Sequence, residues 1–488
     1  MYERNRRRRL IYNDDSDQVS QTRSYDYAIT DVPSFLAVRT TPVFETQVDT
    51  YAWCVGTGAM PPYGKKGDQV WPILGSFERA TDIVVNACHE HDLEVWGSLR
   101  MNDLHDSFMA DRLEDTNDPL KAQHPEYLIA VDNRTLPSGL ADRFLWTAFD
   151  FSHREVREHR LSFIEENAQA HDFDGYELDF TRFPWYFPLG EGLRNAHRMT
   201  DLVRRARAIL DDIGRRRHRP YTLVAHVTDS PQISVELGVD VEAMLREKLV
   251  DVLVVGLGYI HDGMGLSDWQ NLGQRYGVPV YPSVNAAVFT RKYIKLPHGQ
   301  PQAVEALRAT AACWHQQGAR GIYLFNLFVW QDKNIGGYTR EQVIQPLSEI
   351  GSAERLAGKN KLYSLQASID RASISHGSEM ALLPIALDSN EHLLPLHMGP
   401  DAYASGAQFC LRVLTKGAAK DTALRLRLNQ ILLEPQREGD WWTVEIPQSI
   451  IRTGQNALCV WCDQDLDQVD HPVVVRRVFV EVTYAASS

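Results

Sequence analysis

The chain has no run of about 18 apolar residues, the length a membrane-crossing helix needs, and no excess of basic residues. Its 51 lysines and arginines are outnumbered by 64 aspartates and glutamates, for a net charge of -13. Nucleic-acid binding depends on cations that displace phosphate counterions, so neither a nucleic-acid nor a membrane partner is expected. Six cysteines in 488 residues are too few and too scattered for a disulfide framework. Cys459 and Cys462 form a CxxC, but in the strand-like LCVWC positions three apart point to opposite faces, which argues against a zinc or redox site. With 31 glycines and 23 prolines the chain reads as globular, not fibrous or low in complexity. No signal-type apolar core follows the N-terminal arginines, so a cytoplasmic location is expected. Arg6 to Arg9, ahead of an apolar strand, and Arg215 to Arg219, after a helix end, are expected to be solvated.

What is present is a rhythm. Eight short runs rich in Val, Ile, Leu, Tyr and Trp lie at 9–15, 48–56, 93–103, 173–180, 221–229, 250–260, 278–284 and 321–328, with helical patterns between them. Met199, Leu202, Val203, Ala206, Ile209, Leu210 and Ile213 share one helical face, with Gly214 expected to end that helix. Ser152 and Glu155 have capping-box spacing ahead of Leu161 and Ile164. Eight β-α units predict an α/β fold, a closed (β/α)8 TIM barrel over 1–355. A doubly wound sheet is the weaker alternative. From 356 to 488 the pattern shifts to short alternating runs such as WWTVEIP and VVVRRVFVEVTY, which predict an antiparallel β-sandwich packed on the barrel.

Active sites of such barrels sit at the carboxyl ends of the strands. Polar residues ending each run are Asp14 and Asp15 on the first; Arg100, Asn102, Asp103 and His105 on the third; Glu177, Asp179 and Arg182 on the fourth. His226 and Asp229 follow on the fifth, Tyr259 on the sixth and Asn326 on the eighth. The sharpest signal is FDGYELDFTRFPWYF, where Glu177 and Asp179 take alternate positions of a strand that should be apolar, so their side chains face the same way. Arg100 or Arg182 is expected within salt-bridge distance of this pair. Aromatics on the rim excursions, Tyr63, Trp71, Trp146, Trp185, Tyr186, Phe289, Tyr293 and Trp330, can stack on sugar faces as a set, although each alone reads more readily as packing. Cys88, His89, Glu90 and His91 precede the third strand, at the stability face, so a helix-end histidine is the expected reading rather than a metal site. Asn13, Asp14, Asp15 and Asp17 lack the glycine and distal glutamate of a calcium loop. No cofactor or metal is expected, though Asp14 or Asp15 leaves one metal position open.

The stretch DGYELDFTRFP resembles the DGxxLDxxRxP signature on strand four of glycoside-hydrolase-like barrels loosely grouped with family-ten-like glycosyl hydrolases. RMNDLHDS after strand three and GIYLFNLF on strand eight are similar to further marks of that group. The resemblance spans about residues 9–350. It implies a carbohydrate-active enzyme, with Asp179 in the place of the group's strand-four aspartate and Arg182 in that of its arginine, and a sandwich resembling carbohydrate-binding accessory domains. Retaining barrels of the xylanase type carry glutamates on strands four and seven, whereas YPSVNAA has none.

The expectation is therefore a glycoside hydrolase acting on an oligosaccharide or polysaccharide. Asp179 is its nucleophile or base, and Glu177, Asp229 or Asp103 its partner, about 5 to 5.5 Å away for retention or 6.5 to 9.5 Å for inversion. Arg100, Asn102, His105, Arg182, His226, Tyr259, Asn326 and Trp185 would bind the sugar. A lyase or isomerase of acidic sugars, with His105, His226 or Tyr259 as base, and a non-catalytic glycan-binding protein are the alternatives; a homo-oligomer stays open.

Overall fold

The computed structural model describes residues 6–16, 18, 29–56, 71–108, 112–116, 118–129, 145–256, 265–285, 303–327, 338–366, 383–420, 422–464 and 471–485. Eight parallel strands close into a barrel in chain order. They are β1 (Leu10–Asp14), β2 (Val48–Cys54), β3 (Glu94–Arg100), β4 (Gly175–Asp179), β5 (Thr222–Val227), β6 (Val252–Val255), β7 (Val280–Asn285) and β8 (Ile322–Phe325). Each coincides with one of the eight apolar runs. Strands sealed inside by the barrel and outside by helices have no wet face, which is why they lack polar alternation. Leu10 and Tyr12 join the core between strands and helices, while Ile11 packs inside the barrel with Ala52, Trp96, Val224, Val252, Val254, Tyr281, Tyr323 and Phe325.

Four details depart from the sequence reading. Arg8 is not solvated: it is fully buried, and its guanidinium grips Glu94 at 2.6 and 2.7 Å while lying 5.0 Å from the centre of the Trp96 ring. Arg8 precedes β1, so the alternation of that strand does not fix which way it faces. Arg217 and Arg219 are also engaged, Arg217 with Tyr221 and Arg219 with Asp172 and Asp174. Ser152 is not a cap, since helix α1 (Arg154–Ala170) has His153 at its N-cap with no side-chain cap bond. Helix α2 (Gly192–Arg216) buries the predicted face but runs through Gly214. That glycine is demanded by close approach, because a Cβ there would lie 2.8 Å from the Arg219 carbonyl oxygen.

The C-terminal region forms two antiparallel sheets. One holds β9 (Lys361–Gln366), β10 (Ile385–Ala386), β12 (Ala407–Lys416), β15 (Gln436–Glu438), β16 (Trp441–Ile446) and β18 (Val474–Tyr484). The other holds β11 (His392–Met398), β13 (Leu424–Leu428), β14 (Ile431–Leu433) and β17 (Gly454–Cys462). Their inward residues form one core, which Ala309 and Cys313 of helix α3 (Ala303–Gln316) join from the barrel side. Lys361 and Tyr484 both donate to Asp401 beneath that helix, at 2.7 and 2.6 Å. No described helix is long and apolar enough to cross a membrane.

Candidate functional site

In a parallel ladder, residues at one level project to the same face. Arg100 on β3 is in register with Asp179 on β4, and Asp179 with His226 on β5. The fold therefore sets these three side by side at the carboxyl ends of adjacent strands, with Glu177 two residues deeper.

Glu177 is sealed. One oxygen accepts from the Tyr323 hydroxyl at 2.9 Å, and the other lies 3.1 Å from Nδ1 of His226. His226 Nε2 is 2.9 Å from the Gly256 carbonyl oxygen, which can only accept, so Nε2 carries a proton. Burial opposes a charge on His226, but the Glu177 and Asp179 carboxylates outweigh it and raise its pKa above the ordinary histidine value. A raised folded-state pKa means the pair's contribution to stability is complete below the unfolded value of about 6.5 and is lost as pH rises through the folded value. Urea midpoints of the protein and of His226→Gln should therefore converge on going from about pH 5.5 to 9. A gap constant with pH would refute an imidazolium at this position.

Asp179 is held differently. Its Oδ1 accepts from Thr181 N and Oγ1 at 2.8 and 2.7 Å and from Arg182 N at 3.1 Å. Its Oδ2 has no hydrogen-bond partner among the described residues. Three donors on one oxygen fix the carboxylate's direction, leaving the second oxygen to meet a ligand.

A chain of charges runs beside it. Arg100 pairs with Asp15 and, at 3.2 Å, with Asp103, so of the two arginines expected beside Glu177 and Asp179 this one is committed elsewhere. The inward face of β3 points its guanidinium toward the β1 end, where Asp15 waits. Asp103 then accepts from His105 N and Nδ1 at 2.8 and 2.5 Å, and Arg182 meets His105 Nε2 at 2.7 Å. Arginine can only donate, so Nε2 is bare and the ring neutral. Burial first of all, with Arg182 and Arg100 adding, pushes the His105 pKa down to about 4 despite Asp103. Burial would raise Asp103, yet His105 and Arg100 prevail and hold it well below the carboxylate range. Asp103 thus does not fit the expected role of proton-donating partner; it is a fixed anion that orients His105.

The remaining candidates fall into place around this core. All three polar bonds of the Asn102 side chain go to backbone, to the Phe149 and Trp185 carbonyls and from Phe149 N, so it ties the rim together. Trp185 is buried among Leu104, Leu145, Ala148 and Phe183. Asp229 is half-buried beyond the end of β5. Asn326 follows β8 in the left-handed region at φ 51, which asparagine tolerates, and donates to Asp15 at 3.0 Å. Asp14 faces the helix layer, where Arg39, Gln18 and Tyr51 occupy its oxygens at 2.8, 2.9 and 2.5 Å, so it does not suit the open metal position. Among the described residues no cluster has the make-up of a metal site. His89 meets Asp174 at 2.9 Å at the opposite barrel end. Tyr259, Tyr63, Phe289, Tyr293, Trp330, Asp17 and the Trp71 side chain lie outside the described residues.

Sequence reasoning missed Thr181 and Tyr323. Thr181 had a signal, two residues past Asp179 where a hydroxyl can close a turn. Tyr323 had only its inward parity on β8.

No family model matches the chain, and no curated protein matches it. The family-ten-like grouping thus remains a resemblance of motifs. Among solved structures, the chain is similar to an endo-beta-1,4-mannanase from Thermotoga petrophila, at 9% identity over 90% of this chain and 93% of that one, with a TM-score of 0.40. It is similar to a glycoside hydrolase domain from Bordetella bronchiseptica at 13% identity, over 66% and 94%, with a TM-score of 0.40. A chitinase-like agglutinin from Robinia pseudoacacia matches at 12%, over 70% and 99%, with a TM-score of 0.38. The structural neighbours of this chain include glycoside hydrolases.

Proposed function

We propose that the barrel mouth hydrolyses a glycosidic bond of an oligosaccharide or polysaccharide. The observation that carries this reading is Asp179, a buried carboxylate at the end of β4 with one oxygen fixed by three donors and the other unpartnered among the described residues. Such a group meets an electron-poor anomeric carbon without reorganising, as nucleophile or as the base that activates water. Glu177 and His226 beneath it keep a compensated charge pair in the interior, and Asp103 keeps His105 and Arg182 oriented. With Glu177 and Asp103 committed, Asp229 beyond the neighbouring β5 is the acid partner. The sandwich serves as an accessory unit.

Proton abstraction by histidine fits less well. His105 Nε2 already accepts from Arg182, and His226 donates from Nε2 and faces Glu177 from Nδ1. Incubation with a broad oligosaccharide panel, read for reducing ends and for ultraviolet absorbance, separates the readings. New reducing ends without absorbance are expected. An unsaturated, absorbing product would instead establish a lyase.

A further inference from the structure

The wall of the barrel opposite Asp179 carries three polar atoms that the described residues do not satisfy. Asn13 Oδ1 on β1, Ser283 Oγ on β7 and Asn326 Oδ1 after β8 are buried without a hydrogen-bond partner among the described residues. Asn13 is 3% exposed and Ser283 is fully buried. The orientation of the Asn326 amide is not arbitrary. Its Nδ2 donates to the Asp15 carboxylate, which can only accept, so the atom left over is the carbonyl oxygen. Asn13 shares the inward face of β1 with Ile11, and Ser283 is in register with the inward Tyr323. β7, β8 and β1 are consecutive around the closed barrel, and β4 lies across from them.

A buried acceptor left without a donor is costly, so three on one wall are a standing demand for donors. Two of the three are amide oxygens that can only accept, and the free oxygen of Asp179 opposite them also accepts. Resting on the hydrolase reading of the mouth, we propose that its substrate is an uncharged sugar, whose ring lies between Asp179 and this wall and donates hydroxyl protons to Asn13, Ser283 and Asn326. A uronic acid offers a carboxylate in place of one donor and brings an anion into a site already lined by acceptors. The three wall residues are thus specificity determinants, and they do not take part in bond cleavage.

The test uses binding in place of turnover, so its outcome is independent of the hydrolytic step. The full-length Asp179→Asn protein is titrated with neutral tetrasaccharides of gluco, manno and galacto configuration and, as the acidic probe, with tetragalacturonate. At least one neutral probe should bind more than tenfold more tightly than the acidic one. Adding Ser283→Ala or Asn13→Leu should weaken that probe about tenfold per lost bond while leaving the thermal midpoint of the free protein unchanged or higher, because each change removes an unsatisfied group. A purely structural role would instead lower the midpoint and spare affinity. Tighter binding of tetragalacturonate, no binding of any neutral probe, or affinity untouched by both wall substitutions would overturn the proposal. If binding behaves as expected but the parent protein releases no reducing ends, the hydrolase reading fails and the sugar site stands.

Discussion

Asp179→Asn should lower turnover of the identified glycan by about 10^3-fold or more while leaving binding close to that of the parent. The substitution keeps the shape of the side chain and an oxygen able to accept from Thr181 and from the Arg182 amide, so the turn after β4 is preserved. What disappears is the negative charge of the second oxygen, which acts only when positive charge develops at the anomeric carbon. A loss confined to the transition state appears in kcat, with stability altered by no more than about 1 kcal/mol. Steady-state kinetics and a urea titration on the same preparation check both parts. Near-normal kcat would remove Asp179 from the chemistry and move the search along the rim to Asp229 or His105. A large fall in stability would show that the carboxylate's charge is structural.

The second large effect is expected far from the mouth. Glu94→Gln should destabilise the protein by about 3–5 kcal/mol, because it strands the Arg8 guanidinium in the barrel floor without its counter-charge. Both side chains are fully buried, at 2.6 and 2.7 Å from each other, and Glu94 also accepts from Thr50 at 2.7 Å. Desolvation alone would depress the Arg8 pKa, yet Glu94 more than compensates and raises it. Replacing the pair together, as Arg8→Met with Glu94→Leu, should recover most of the loss, since an apolar pair of similar volume bears no desolvation penalty. Urea midpoints of the single and double variants provide the measurement. A single variant as stable as the parent would mean that the floor admits water in place of the carboxylate.

The order and type of the barrel strands were legible in the sequence because a strand buried on both faces is written as a short continuous apolar run, and eight such runs admit few arrangements. The oddity of Glu177 and Asp179 was legible for the same reason: two carboxylates in an apolar strand contradict the pattern around them. Period-two alternation even told that they share a face. Their different fates were decided only by tertiary structure. Tyr323 comes from 146 residues away to cover Glu177, and His226 from the next strand to bridge the two carboxylates, whereas Thr181 turns back locally on Asp179. Arg100 or Arg182 was expected beside the carboxylates of β4, and Arg100 instead reaches Asp15, a partner 85 residues away in the chain, and Asp103. Arg8 was expected in water and closes the barrel floor, because its partner Glu94 stands on a strand 86 residues away in the chain. Apolar periodicity is a local property, carried by a few consecutive residues, and the sequence by itself determined what depends on it. Charge pairing is set by contacts between strands distant in the chain, and those distances exist only once the barrel has closed.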